Sequence, residues 1–171
     1  PVDLGDPLTP DIEVSFFQHD FGTAELTDPS VDVSLEISNL GDYPLRINSI
    51  TQSFVCNSFV ITPLSNTEIP PGEMEVLLIT YLATQYGPDG DLIKIESNDP
   101  DESLVIIQVA GNGATPILEI SPVSIDFGTI DRVTSTPVYS TINLENTGDG
   151  TVEITAIEEL KNNLDIAINS Y

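Results

Sequence analysis

From Val31 to Ser38 the chain alternates, with Val31, Val33, Leu35 and Ile37 interleaved with Asp32, Ser34, Glu36 and Ser38. A period of two marks a strand with one buried face and one wet face. Ile93 and Ile95 flank Lys94 in the same manner. Val105, Ile107 and Val109 form another such run, whose second face is made partly apolar by Leu104 and Ile106. Met74 to Tyr81 is nearly continuous apolar sequence, which suits a central strand more than an edge. Turn signals separate these runs: Leu40-Gly41-Asp42, Pro70-Pro71-Gly72, Gly87-Pro88-Asp89-Gly90 and Asn98-Asp99-Pro100-Asp101. Strands are predicted near 12–18, 31–38, 45–52, 59–63, 74–82, 91–97 and 103–110. No segment carries helical periodicity, and Glu158-Glu159-Leu160-Lys161 reads as a loop. Short strands with turns at this spacing predict an all-β sandwich.

The pattern then repeats. Ile12-Glu13-Val14 and Asp20-Phe21-Gly22-Thr23 recur as Leu118-Glu119-Ile120 and Asp126-Phe127-Gly128-Thr129, 106 residues on. Asn39-Leu40-Gly41-Asp42 recurs as Asn146-Thr147-Gly148-Asp149, 107 residues on, and Ile47 and Ile50 recur as Ile154 and Ile157. A period near 106 is that of a whole domain, not of a solenoid repeat. The expected organisation is an N-terminal extended segment 1–11, a domain 12–113, a linker 114–116 and a partial second domain 117–171. So short a linker, stiffened by Pro116, predicts a semi-rigid rod. Strands are predicted in the second repeat at 117–125, 138–145 and 151–157. Tyr171 aligns near Leu64, so nothing corresponds to Pro71–Gly113. A half sandwich exposes a large apolar face. Either the sequence is a truncated piece of a longer polypeptide, the favoured expectation, or strands of a neighbouring subunit complete the second domain. The opening Pro1 also reads as part of something longer.

Composition narrows the function. The 28 acidic residues face 4 basic ones, for a net charge of -24. Nucleic acid needs clustered Lys and Arg and is excluded as a partner. No apolar run approaches the ~18 residues of a membrane-spanning helix. One Cys allows no intrachain disulfide, and one His allows no multi-His metal site. Cys56, beside Phe54, Val55 and Phe59, reads as a small buried filler. His19 aligns with Ile125 and so reads as a packing position. Asp20-Phe21-Gly22 and Asp126-Phe127-Gly128 match a kinase tripeptide, but the other kinase motifs are missing. They read as strand ends where Phe packs inward and Gly turns the chain.

The combined motif resembles a known family. It runs through Asp20-Phe21-Gly22, Asn39-Leu40-Gly41-Asp42, Leu45, Ile47 and Pro71-Gly72-Glu73 to Ile95-Glu96-Ser97-Asn98-Asp99-Pro100 and Val109-Ala110-Gly111-Asn112-Gly113. It is similar to the ASH (abnormal spindle, spindle-defective, Hydin) domain, and in particular to bacterial choice-of-anchor D repeat proteins. The resemblance implies tandem immunoglobulin-like β-sandwiches, the second incomplete here, with no active site. It also implies one of two settings: repeat modules of secreted or surface-anchored bacterial proteins, or ciliary, centrosomal and spindle scaffolds.

The acidic turns are the remaining site-like features. Asp89 and Asp91 are expected before one strand, and Asp99, Asp101 and Glu102 after it. A strand of that length spans roughly 17 Å, so the two groups form separate sites. Calcium is the candidate ion for either turn, although the EF-hand spacing is absent. A solvated acidic surface is the plainer reading. The expected function is a non-catalytic structural or adhesive module of an extracellular or surface-exposed bacterial fibre, sheath or adhesin. Its partners would be other protein chains, possibly through strand complementation. The alternative is a protein-binding scaffold module of a cytoplasmic or ciliary assembly. A sugar-binding module is disfavoured by the absence of Trp.

Overall fold

The computed structural model describes residues 8–54, 57–131, 133 and 136–158. Cys56 and residues 159–161, on which two of the sequence expectations fall, lie outside them. The described residues contain strands and no helix, so none is long and apolar enough to cross a membrane. The chain divides into two compact units, Pro1–Ala114 and Thr115–Tyr171.

Unit 1 contains β1 (Ile12–Val14), β2 (Gln18–Ala24), β3 (Val31–Asn39), β4 (Leu45–Gln52), β5 (Phe59–Ile61), β6 (Glu68–Ile69), β7 (Met74–Tyr81), β8 (Gly87–Ser97) and β9 (Leu104–Gly113). They form a four-stranded sheet, β1-β3-β7-β5, and a five-stranded sheet, β2-β9-β8-β4-β6. The alternation read from sequence is what closes them over one core. Leu35, Ile37, Leu77, Ile79 and Tyr81 of the first sheet are buried with Leu45, Ile93, Ile95, Ile107 and Val109 of the second. β7 is central, between β3 and β5, as its apolar run predicts. Its register sets Leu35 against Leu77 and Val33 against Ile79.

Three boundaries differ from the expectation. The predicted strand 12–18 is two strands in different sheets, because β1 pairs with β3 and β2 pairs in parallel with β9. Ser15 makes the crossing: its N–H donates to Glu36 O, and its Oγ accepts from Glu36 N at 3.0 Å. β8 begins at Gly87 and not at 91, because β9 runs on to Gly113 and pairs with Gly87–Asp91. Asp89 and Asp91 therefore lie within the strand. The Asp20-Phe21-Gly22 tripeptide is not a strand end. It is a bulge inside β2, where Gly22 takes a φ of 75° that favours glycine.

Unit 2 contains β10 (Leu118–Ser121) and β11 (Asn143–Asn146), paired antiparallel. The predicted strand 117–125 stops at Ser121, before Pro122, which has no N–H to donate. Residues 138–142 and 151–157, predicted as strand, have none. Within unit 1 the corresponding segments pair with β7, β8 and β6. Pairing, and not alternation alone, decides whether such a segment becomes a strand.

Candidate functional site

The buried polar groups of unit 1 gather at turns. Asn39 ends β3 fully buried. Its Oδ1 accepts from Asp11 N at 3.3 Å and Gly41 N at 3.1 Å. Its Nδ2 donates to Tyr43 O at 2.8 Å and Ile69 O at 2.9 Å. All four hydrogen-bonding positions of the amide are thereby used, which offsets the cost of burying it. Asp42 Oδ1 accepts from Thr9 N at 2.9 Å, and Thr9 O accepts from Asp42 N at 3.0 Å. The chain passes so close that a Cβ on Gly41 would collide with Thr9 O. Residues 9–11, assigned from sequence to an extended segment, are thus clasped to the turn after β3.

Most of these bonds recur in unit 2. Asn146 Oδ1 accepts from Ile117 N at 3.3 Å and Gly148 N at 3.1 Å, and its Nδ2 donates to Gly150 O at 2.7 Å. Asp149 Oδ1 accepts from Thr115 N at 2.6 Å. A Cβ on Gly148 would collide with Thr115 O. The bulge tripeptide is matched as well. Asp20 Oδ1 accepts from Gly22 N, and Asp126 Oδ1 from Gly128 N, both at 2.8 Å.

Asp91 and Asp99 are both buried, and each spends its carboxylate on the fold. Asp91 Oδ1 accepts from Phe54 N at 2.9 Å and Leu92 N at 2.7 Å, and Oδ2 accepts from Gln52 Nε2 at 3.0 Å. It thereby pins the chain leaving β4. Asp99 Oδ2 accepts from Ile12 N at 2.7 Å, and Oδ1 accepts from Asp101 N and Glu102 N at 3.1 Å. It ties the turn after β8 to the start of β1. Burial raises the pKa of Asp99, but the N–H groups of Ile12, Glu102 and Asp101 together outweigh it and leave the carboxyl below its ordinary value. Asp101, exposed beside it, is raised by its hydrogen bond to Asp99 and by the Asp99 charge. Asp89 Oδ1 accepts from Gly90 N at 3.0 Å.

Of the five sequence-predicted carboxylates, the structure brings Asp99 and Glu102 together with Asp11, one oxygen of each lying within 4.8 Å of the others. Among the described residues this is the group that could hold a divalent cation. Asp89, Asp91 and Asp101 are not part of it. Asp11 was not legible as a member, because it reaches the turn from the far end of the domain. His19 is a packing residue, its ring 4.6 Å from Phe21 and 5.5 Å from Phe16. Phe21 packs inward on Phe59 and Tyr81. An open groove beside β4, lined by Ile47, Ile50, Ile61, Leu64 and Leu77 with polar neighbours, carries no ionisable side chain.

Two sheets closed face to face, with strands alternating inward and outward, define unit 1 as an immunoglobulin-like sandwich. Residues 10–112 match the HYDIN/CFA65/VesB-like Ig-like domain family, and the chain belongs to it. Domains of this type are non-enzymatic modules. The structure is similar to a Porphyromonas gingivalis W83 protein of unknown function, at 27% identity and a TM-score of 0.54, covering 64% of this chain and 50% of that one. It is similar to the ASH/PapD-like domain 7 of human CEP192, at 16% identity and a TM-score of 0.51, covering 65% of this chain and 90% of that one. It also resembles the Vibrio cholerae VesB protease, at 13% identity and a TM-score of 0.50, covering 61% of this chain and 32% of that one. At such identities the last two are likenesses of fold alone. No curated protein sequence matches the chain.

Proposed function

We propose that this chain is a non-catalytic, protein-binding stretch of a repeat array in an extracellular or surface-exposed bacterial assembly. In this reading unit 2 is the first half of another module of the unit 1 type. The observation that carries it is the recurrence of the Asn39–Gly41–Asp42 clasp at Asn146–Gly148–Asp149, in which both oxygen-accepted bonds of the Asn, one of its amide N–H bonds and the Asp carboxylate bond return. The Gly positions admit no side chain, so the motif preserves a close backbone approach and not a surface property. The family adds that modules of this kind do not catalyse. A net charge of -24 fits a module that stays soluble and spaced from its neighbours. The scaffold reading, cytoplasmic or ciliary, rests on the likeness of fold to the human CEP192 domain.

Treatment of intact source cells with a membrane-impermeant amine label or a protease distinguishes the two. Modification of this chain before lysis is expected. Modification only after lysis would replace the surface reading with the scaffold reading.

A further inference from the structure

The two outer faces of unit 1 carry opposite charges beside apolar side chains. In the first sheet Val14, Leu35, Ile37 and Leu77 face the core, so the residues between them face out. Glu36 lies opposite Val76, and Ser38 lies between Met74 and Glu13. Met74 is 54% exposed and Val76 is 44%. Beside this stripe is a hollow lined by Glu13, Val14, Ser15, Glu36 and Ser38. Neither glutamate has a basic partner among the described residues. In the second sheet Ile93, Ile95, Val105 and Ile107 face the core, so Leu92, Lys94, Leu104 and Ile106 face out. Lys94 lies opposite Ile106, which is 44% exposed, and Leu104 is 49% exposed. Arg46 and Lys94 are the Lys and Arg side chains among the described residues. Arg46 pairs with Glu68 at 3.0 Å. Lys94 pairs with no carboxylate among the described residues, in a sequence with 28 acidic residues. Glu96, two residues on, accepts instead from Ser49 Oγ at 2.8 Å.

We infer that unit 1 binds a second copy of this chain, with Lys94 and Ile106 of one copy set on the Glu13–Glu36 hollow and the Met74–Val76 stripe of the next. The inference deepens the protein-binding reading proposed above and uses unit 1 alone. The complementarity of the two faces selects the occupant: one offers two unpaired carboxylates beside apolar side chains, the other an unpaired ammonium beside apolar side chains. The stem of Lys94 covers apolar surface while its ammonium reaches the carboxylates. Covering the charges also strengthens their attraction over that of an exposed pair. The two faces lie on opposite sides of the sandwich, so each added copy leaves one face of each kind free. The contact is therefore heterologous and does not close at two copies. A net charge of -24 opposes the approach, and salt screens that repulsion over about 8 Å at physiological ionic strength. The contact is weak in dilute solution and gains where neighbouring copies are held together in one assembly.

The test sediments the full 171-residue chain at rising concentration, up to about 1 mM, at physiological ionic strength. A parallel sample is treated with a zero-length carbodiimide cross-linker and its peptides are identified by mass spectrometry. The expected results are species larger than a dimer and an isopeptide from Lys94 to Glu36 or Glu13. Those residues lie on opposite outer faces of unit 1, so such a link joins two copies. Lys94→Glu and Glu36→Lys should each weaken association at least about 10-fold. Both changes in one chain keep the net charge and should restore it, which also shows that neither single variant fails by misfolding. A double variant that does not regain association would overturn the inference. Association that survives both Lys94→Glu and Ile106→Asp, or that stops at dimers, would place the contact elsewhere and overturn it too. A monomer at every concentration would overturn the contact and leave the proposed function to its own labelling test.

Discussion

Leu35 and Ile142 occupy matching places in two stretches of similar sequence, and only Leu35 is buried. The turns beside them are alike. Asn39 and Asn146 each bridge the strand end to the segment before it, and Gly41 and Gly148 each lie against the backbone. The clasp is local, and it forms in both units. The core is made of contacts across long sequence separations, and among the described residues it lies in unit 1. The turn chemistry is thus common to both units, and the burial by facing strands is described in unit 1.

Core truncation should break this comparison most strongly. Leu35→Ala is expected to remove about 2–5 kcal/mol from the unfolding free energy of unit 1. Ile142→Ala, at the matching exposed site, should change stability by less than about 0.5 kcal/mol. Urea titrations followed by far-UV circular dichroism read both. Equal losses would mean that Ile142 is packed as Leu35 is.

The clasp should be worth less than the core. Asn39→Ala leaves buried backbone groups without their partner and is expected to cost about 2–3 kcal/mol. Asn146→Ala makes the matching deletion in unit 2 and should leave the unfolding midpoint of unit 1 where it was. A shift of that midpoint would show that the units are energetically coupled.

Acid provides a finer comparison, between two neighbouring carboxylates. Asp99 is lowered in the folded state, so its contribution is present above its unfolded pKa and fades as pH falls through the folded value. Asp99→Asn should cost about 2 kcal/mol at pH 7 and flatten the loss of stability below pH ~4. Asp101 is raised, so its contribution has the opposite sign: present below its unfolded pKa, and lost as pH rises through the folded one. Asp101→Asn should therefore leave unit 1 no less stable at pH 7. Melting curves between pH 2 and 7 check both. A steeper acid limb in Asp99→Asn would contradict the assignment.

Calcium is expected to have the smallest effect. Asp99 already gives both oxygens to backbone N–H groups, leaving Asp11 and Glu102 as the main additional ligands. Millimolar calcium at matched ionic strength should raise the melting temperature slightly, and Glu102→Gln should remove the rise. Matching ionic strength is essential, because salt also screens a net charge of -24. An unchanged melting temperature would remove calcium from the account.

Much of unit 1 was legible because its signals are local. The alternation of Val31–Ile37 and the apolar run of Met74–Tyr81 gave β3 and β7 nearly to the residue. What was not legible depended on distant partners. Gly87-Pro88-Asp89-Gly90 carries turn chemistry, yet it is strand because Ala110–Gly113 pairs with it. Asp99 looked like a solvated turn carboxylate, and its main partner, Ile12 N, lies 87 residues away. The split of 12–18 between two sheets turns on Ser15, whose bond to Glu36 has no signature in the sequence around it. In unit 2 the strands were expected at 117–125, 138–145 and 151–157 from the recurrence of the unit 1 pattern. Only Leu118–Ser121 and Asn143–Asn146 form there, because a sequence pattern describes a face and not the neighbour that must pair with it.

The central claim is that unit 1 is held by strand pairing over a closed core, whereas the matching described segments 138–142 and 152–157 are not strand. Native-state amide exchange on the 171-residue chain tests it most directly. The amides of Leu35, Leu77, Ile95 and Ile107 are expected to exchange only when unit 1 unfolds, while those of residues 138–142 and 152–157 exchange near the unprotected rate. Equal protection in both sets would contradict the claim.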